Sequence, residues 1–199
     1  MQLPILCKIP IFGLIEAAQS DAAISELIGP VLVAAARIFD DIKTVSEKQI
    51  TGSEGNGPID YGLVYKDFNI VISEEKKDDI TKGLGQNVAQ LAAGREDYLV
   101  KKGQCITNKK RSFDEYQPSI ADIDSCGIVS TAGRWIFTRY SRSGTRPVFY
   151  CSNAFEIPLG NFAIKEYVMK GMTAVVRILV EILRTLKLAV DGNAFAASL

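Results

Sequence analysis

Asp60 and the run Ser73-Glu74-Glu75-Lys76-Lys77 are the residues of this chain best suited to chemistry. Asp60 ends the glycine-rich segment GNGPID, and Glu74 follows fourteen residues later at the end of an apolar stretch, NIVIS. On a strand, side chains alternate, so Glu74 and Lys76 share one face and Glu75 and Lys77 the other. If the strands carrying Asp60 and Glu74 pair, their two carboxylates form a hard, oxygen-only site. That donor set suits Mg²⁺ or Mn²⁺, which prefers oxygen ligands and keeps several waters. Such an ion polarises a phosphodiester and lowers the pKa of a bound water, and a nearby lysine supplies a compact positive charge. The competing reading is plainer: a solvated strand end, a helix cap and an ordinary turn aspartate.

Composition narrows the alternatives. The chain has 199 residues, enough for one domain with a real core, and contains no histidine. This excludes Ser-His-Asp and Cys-His hydrolases, histidine bases and histidine-bearing zinc or iron sites. Lys+Arg and Asp+Glu are both 23, so nucleic-acid binding through bulk charge is not indicated, and any such contact needs a local basic face. Cys7, Cys105, Cys126 and Cys151 form no CxxC pair and read as reduced, buried small hydrophobes. The apolar N-terminus is broken by Pro4, Lys8 and Pro10 and lacks the pattern of a signal peptide. No run reaches a membrane span, so no membrane partner is expected.

The elements that must position these groups follow from periodicity. A small helix is expected over 20–28, and Pro30 is expected to open a second, PVLVAAARIFDDIKTVSEKQ, with Val31, Leu32, Ala35, Ile38, Phe39, Ile42 and Val45 on one broad face and Asp40, Asp41, Lys43 and Lys48 mostly away from it, toward solvent. Gly52 to Gly57 reads as a turn, Pro58–Tyr65 and Asn69–Glu74 as strands joined at Tyr65-Lys66-Asp67-Phe68. A helix is expected from about Ile80 to Val100, a polar loop over 101–125, then strands at Cys126–Ser130, Arg134–Tyr140 and Val148–Tyr150. A long amphipathic helix over 162–190 closes the chain, stopped by Asp191-Gly192. The class is α/β in the mixed α+β sense: one mixed sheet flanked by helices.

GNGPIDY, NIVISEEKKDD and KGLGQNVAQL together resemble the PD-(D/E)xK restriction-endonuclease-like superfamily. They are most similar to the nuclease-like C-terminal domain of Crinkler (CRN) effectors, whose hairpin with a Trp-x-Phe strand GIVSTAGRWIFTRY also resembles. The resemblance covers about residues 30–140. It implies a single domain with an αβββαβ core and extra N- and C-terminal helices. It implies a Mg²⁺-dependent nuclease, DNA favoured, in which Asp60 and Glu74 hold the metal, Lys76 is the catalytic lysine and Gln86, with Gln90, positions. Glu75 and Lys77 are the alternative register. A further acid is sought at Glu47, at the expected helix end, or at Glu54. The resemblance also implies a secreted effector acting in a host nucleus; without it, the cysteines suggest an intracellular protein.

Lys101, Lys102, Lys109, Lys110, Arg111, Arg139 and Arg142 are the candidate nucleic-acid contacts, with Arg134 and Arg146 beside them. Trp135 and Phe137 read as core rather than as stacking platforms. Two rival functions remain: a catalytically inactive effector domain binding nucleic acid or a host protein, and an interaction module presenting the face of the terminal helix.

Overall fold

A computed structural model describes residues 27–53, 55–75, 80–101, 124–131, 133–143, 146–159 and 165–191. Their order is α1 (Ile28–Ala36), β1 (Lys43–Gly52), β2 (Gly55–Tyr65), β3 (Phe68–Glu75), α2 (Ile80–Lys101), β4 (Ser125–Ser130), β5 (Arg134–Ser143), β6 (Arg146–Cys151), β7 (Phe155–Glu156) and α3 (Lys165–Val190). The strands form one mixed sheet in the order β1-β2-β3-β4-β5-β6, with β7 paired to β5. Among the described strands only β3 and β4 pair in parallel, because α2 carries the chain back between them. The connectivity is helix, three-stranded meander, helix, parallel strand.

The expected helix over 30–49 is two elements. α1 stops at Ala36, where Ile38 N and Phe39 N bond back three residues to Ala35 and Ala36, and β1 begins at Lys43. Thr44, Val45, Ile50 and Thr51 are β-branched, and β2 offers them a pairing partner from Lys43↔Val64 to Gly52↔Gly55. Ile42 and Val45 continued the helical spacing of α1 only by coincidence. Pro30 sits in the first turn of α1, where its missing N–H costs no helical bond. The expected turn at 52–57 shrinks to its first residues, since β2 already starts at Gly55.

α1 and α3 pack together on one side of the sheet. Leu32, Leu63, Ile128, Trp135, Met172, Val176 and Leu179 lie in that core, and Trp135 is fully buried as expected. Each apolar turn of α3, from Val168 to Leu186, faces inward, so this helix completes the core. α2 covers the other side, where Ile50, Ile59, Leu91, Ala93 and Tyr140 form a smaller cluster. Phe68 and Tyr98 meet at 4.8 Å between ring centroids and join α2 to the main core. Cys126 is buried, which pushes its thiol up to about 12, and Cys151 is exposed; both are free thiols. No described helix is long and apolar enough to cross a membrane. The expected helix at 20–28 lies almost wholly outside the described residues, and the loop at 101–125 largely so.

A polar clamp ties the end of α3 to the sheet. Lys66 and Asp67 have φ of 47° and 66°, the two left-handed residues of a tight hairpin between β2 and β3. Asp191, just past α3, accepts hydrogen bonds from Lys66 Nζ and Tyr65 Oη, both at 2.7 Å. Lys187 pairs with Asp41 and lies 4.7 Å over the Tyr65 ring. The Lys66 and Tyr65 bonds hold the Asp191 carboxyl below its usual range, and the bond to Asp191 raises both Lys66 and Tyr65. A lowered acid contributes stability above the unfolded value of 3.8 that is lost as pH falls through its folded pKa. The raised partners contribute below about 10, and that contribution is lost as pH rises further. Asp191→Asn is therefore expected to lower the thermal midpoint at neutral pH slightly, by roughly 2–4 °C, and to flatten its fall in acid. Thermal melts of both proteins from pH 3 to 8 check this; parallel curves would remove the clamp from the account.

Candidate metal site

The site begins with a bend in the β1–β2 hairpin. Pairing runs from Lys43↔Val64 to Ser46↔Tyr61 and resumes at Lys48↔Ile59, skipping Glu47 and Asp60. Glu47 has φ of 50°, a left-handed conformation that costs an L-residue roughly 1–2 kcal/mol. The side-chain alternation slips across this point: a Cβ on Gly62 would meet both Ile59 Cδ1 and Val45 Cγ2, at 2.7 and 3.1 Å. Past the bend the hairpin tip folds onto α2. Gly52 lies so close that a Cβ there would sit 2.4 Å from the Ala93 Cα. Ser53 donates from its N and Oγ to the Glu96 carboxylate at 2.5 and 2.8 Å. The Ala92-Ala93-Gly94 run lets α2 fit between the sheet and the tip, so residues 90–95 are all buried.

The β2–β3 ladder runs through Tyr61↔Ser73. Continued by one residue, that register sets position 74 opposite position 60. Glu47, Asp60 and Glu74 thus occupy one line across three adjacent strands, spaced by about 4.8 Å. Glu74 pairs with Val129 and Ile72 with Gly127, and Gly127 abuts Asn87 of α2. Position 74 therefore shares the α2 side of the sheet, and position 75, paired with Ser130, takes the other. The register favours Glu74 over Glu75. Asp60 is half-buried and Glu47 exposed. The side chains of Glu74 and Glu75, and all of Lys76, Lys77 and Glu54, lie outside the described residues. Among the described residues no group of three or more His, Cys, Asp or Glu could hold a metal ion. Glu47, expected at a helix end, is on a strand, and the pairs on either side of it bring it level with Asp60.

The two helix glutamines part company. Gln86 is exposed, whereas Gln90 is buried and its Nε2 donates to the Pro58 carbonyl at 3.4 Å, two residues from Asp60. The hairpin tip covers one and not the other. Between them, Asn87 was not singled out by the sequence reading. It is fully buried, and its Oδ1 accepts a hydrogen bond from Thr138 Oγ1 at 2.6 Å. Lys48 was also missed: read on a helix it pointed to solvent, but on β1 its Nζ donates to the buried Asn69 Oδ1 at 2.9 Å. Strand spacing, had β1 been recognised, was the only signal for it.

Among the described residues the basic candidates do not gather at the carboxylate line. Its row reaches β5 at Ile136. Lys101 ends α2, and Arg139 and Arg142 lie toward the C-terminal end of β5, away from that row. Arg134 is held by Glu156 at 2.7 Å. Lys102, Lys109, Lys110 and Arg111 lie outside the described residues, and of Arg142 only the backbone is described.

Glu47→Gly separates strain from chemistry. Glycine accepts φ of 50° without steric cost, so the thermal midpoint is expected to stay level or rise. If the carboxylate line holds a catalytic metal, cleavage is expected to fall about tenfold or more, as losing a group near a metal does. A melt and a cleavage assay on the same preparation check both, and unchanged cleavage would take Glu47 out of the site.

Comparison with protein-family models, curated proteins and solved structures finds no match to this chain.

Proposed function

We propose that this protein is a metal-dependent nuclease that hydrolyses phosphodiester bonds, with DNA the favoured substrate. The observation that carries the reading is the line of Glu47, Asp60 and Glu74 across β1, β2 and β3, beside a bend held by an unfavourable backbone at Glu47. Strain of that kind, kept in a non-glycine residue, is characteristic of functional positions. The donor set fits a hard divalent cation: carboxylate oxygens on adjacent strands, one of them half-buried. Asp60 and Glu74 would hold Mg²⁺ or Mn²⁺, with Glu47 as a further carboxylate. Such an ion supplies Lewis-acid stabilisation of the phosphodiester and a more acidic water. Lys76, two residues beyond Glu74, places a positive charge for the anionic phosphate or the attacking water. Gln90, anchored to Pro58, orients the β2 end of the site, and exposed Gln86 is open to substrate. The helix, meander, helix, parallel-strand order supports the resemblance to PD-(D/E)xK nucleases and to Crinkler effector domains. On that reading the protein acts inside a host nucleus.

The test is cleavage of plasmid DNA and of single-stranded RNA with Mg²⁺, Mn²⁺ or a chelator. Wild type is expected to cut DNA only with metal, and Asp60→Ala to lose that activity by about a hundredfold or more. Equal cleavage by the two proteins sinks the assignment of Asp60. Nucleic-acid binding with no metal-dependent cleavage by wild type replaces the proposal with a silent binding domain.

A further inference from the structure

β5 and β6 form a ribbon that runs past the start of β4. β4 stops at Ser125↔Tyr140, but β5 and β6 continue through Ser141↔Val148, Arg142↔Pro147 and Ser143↔Arg146. Its charge is one-sided. Residues 125–155 hold Arg134, Arg139, Arg142 and Arg146 and no Asp or Glu, in a chain whose net charge is zero. Arg134 is engaged by Glu156 at the other end of β5; the ladder sets position 146, opposite Ser143, on the same face as Arg139 and Tyr150, and position 142 on the other.

One face of this ribbon is built unlike the rest of the surface. The Arg139 guanidinium lies 4.4 Å from the centre of the Tyr150 ring, its partner in the ladder. Arg139 also faces Asp124 at 3.6 Å, with its side chain 51% exposed. Tyr150 and Val148, two residues apart on the same edge strand, are 47% and 41% exposed. An exposed aromatic ring beside a stacked guanidinium offers a flat platform for a base, with positive charge for the adjoining phosphate. Pro147 supplies no N–H, which weakens β6 as a template for an added protein strand.

We propose that this β5–β6 face, centred on Arg139, Val148 and Tyr150, docks a nucleic-acid strand by stacking a base on Tyr150 and neutralising phosphates with Arg139 and Arg146. The choice of nucleic acid among polyanions rests on the nuclease reading above. The surface itself is separate from the carboxylate line: the row through Glu74 meets β5 at Ile136, while Arg139 pairs with Cys126 of the α1–α3 core.

Fluorescence anisotropy with a labelled single-stranded oligonucleotide in chelator tests the surface without involving cleavage. Tyr150→Ser is expected to weaken binding about tenfold, and Tyr150→Phe to keep it. Arg139→Gln and Arg146→Gln are each expected to reduce the slope of log affinity against log salt by about 0.7, the value of one phosphate contact on a single strand. Retained Trp135 fluorescence confirms that each variant is folded, and Arg146→Gln serves if loss of the Arg139–Asp124 pair disturbs the ribbon. Affinities within twofold of wild type, or an unchanged salt slope, overturn the proposal. So does tighter binding of heparin than of the oligonucleotide with no effect of Tyr150→Ser, which marks a generic polyanion patch. Cleavage without any ribbon effect leaves the nuclease reading standing and removes this one; ribbon-dependent binding without cleavage does the reverse.

Discussion

Glutamine in place of Glu74 is expected to lower metal-dependent cleavage by about a hundredfold or more, whereas the same change at Glu75 leaves it within a few-fold. The two residues are adjacent and chemically identical, so only the register separates them. Tyr61↔Ser73 is the last β2–β3 pair, and one step further puts 74, not 75, opposite Asp60. Glu74↔Val129 and Ile72↔Gly127 place that same side against α2, where Asn87 and Gln90 lie. Glutamine keeps the length and one oxygen of the side chain but removes the charge. Groups that only support a metal ligand already cost 10–100-fold when lost, so a direct ligand belongs at or beyond the upper end. Steady-state cleavage against metal concentration is the measurement. Greater sensitivity at Glu75 would mean that the strand slips by one residue before its end and that Lys77, not Lys76, accompanies the site.

The largest loss of stability is expected from Gly127→Ala. A Cβ there would lie 2.2 Å from Asn87 Oδ1 and 2.4 Å from Thr138 Oγ1, both far inside contact distance. Those two atoms are already hydrogen-bonded to each other at 2.6 Å, and both residues are buried. Making room breaks the bond and leaves polar groups without partners, at about 1–3 kcal/mol, and overpacking adds a similar amount. A total of roughly 3–5 kcal/mol is a third or more of a typical domain's stability and lowers the midpoint by about 10 °C. Gly85→Ala is the control, because nothing lies within 4 Å of its added Cβ on the exposed side of α2. It is expected to be neutral or to stabilise by about 0.5–1 kcal/mol. Denaturant melts of the two variants decide this, and partial recovery by adding Asn87→Ala to Gly127→Ala would locate the strain at that bond.

Much of the fold is written in short-range patterns. The bounds of α2, the end of α3, the presence of strands at 126–130 and 134–140, the Lys66-Asp67 turn and the burial of Trp135 follow from helical or alternating spacing and local turn chemistry. Residues within a few positions of one another settle those features, so the chain alone suffices. β1 is different. Ile42 and Val45 fit a helical face as well as a strand, and the segment becomes a strand because β2 supplies the opposite ladder. With β1 came Glu47 beside Asp60, and Lys48 turned from solvent to Asn69.

The sequence by itself determined which side chains were available for chemistry: no histidine, and carboxylates at 60, 74 and 75 followed by lysines. Which of them stand in one line was decided by strand pairing across tens of residues, since a shift of one residue exchanges the two faces of a strand. The tertiary structure also separated what the sequence had grouped. Gln86 and Gln90 are one helical turn apart, yet only Gln90 lies under the hairpin tip. The arginines of β5 share a strand, yet Arg134 is engaged by Glu156 near the carboxylate row while Arg139 stacks on Tyr150 at the sheet edge. Proximity in the chain and proximity in space diverge wherever an element is long or a hairpin bends, and here both occur around Asp60.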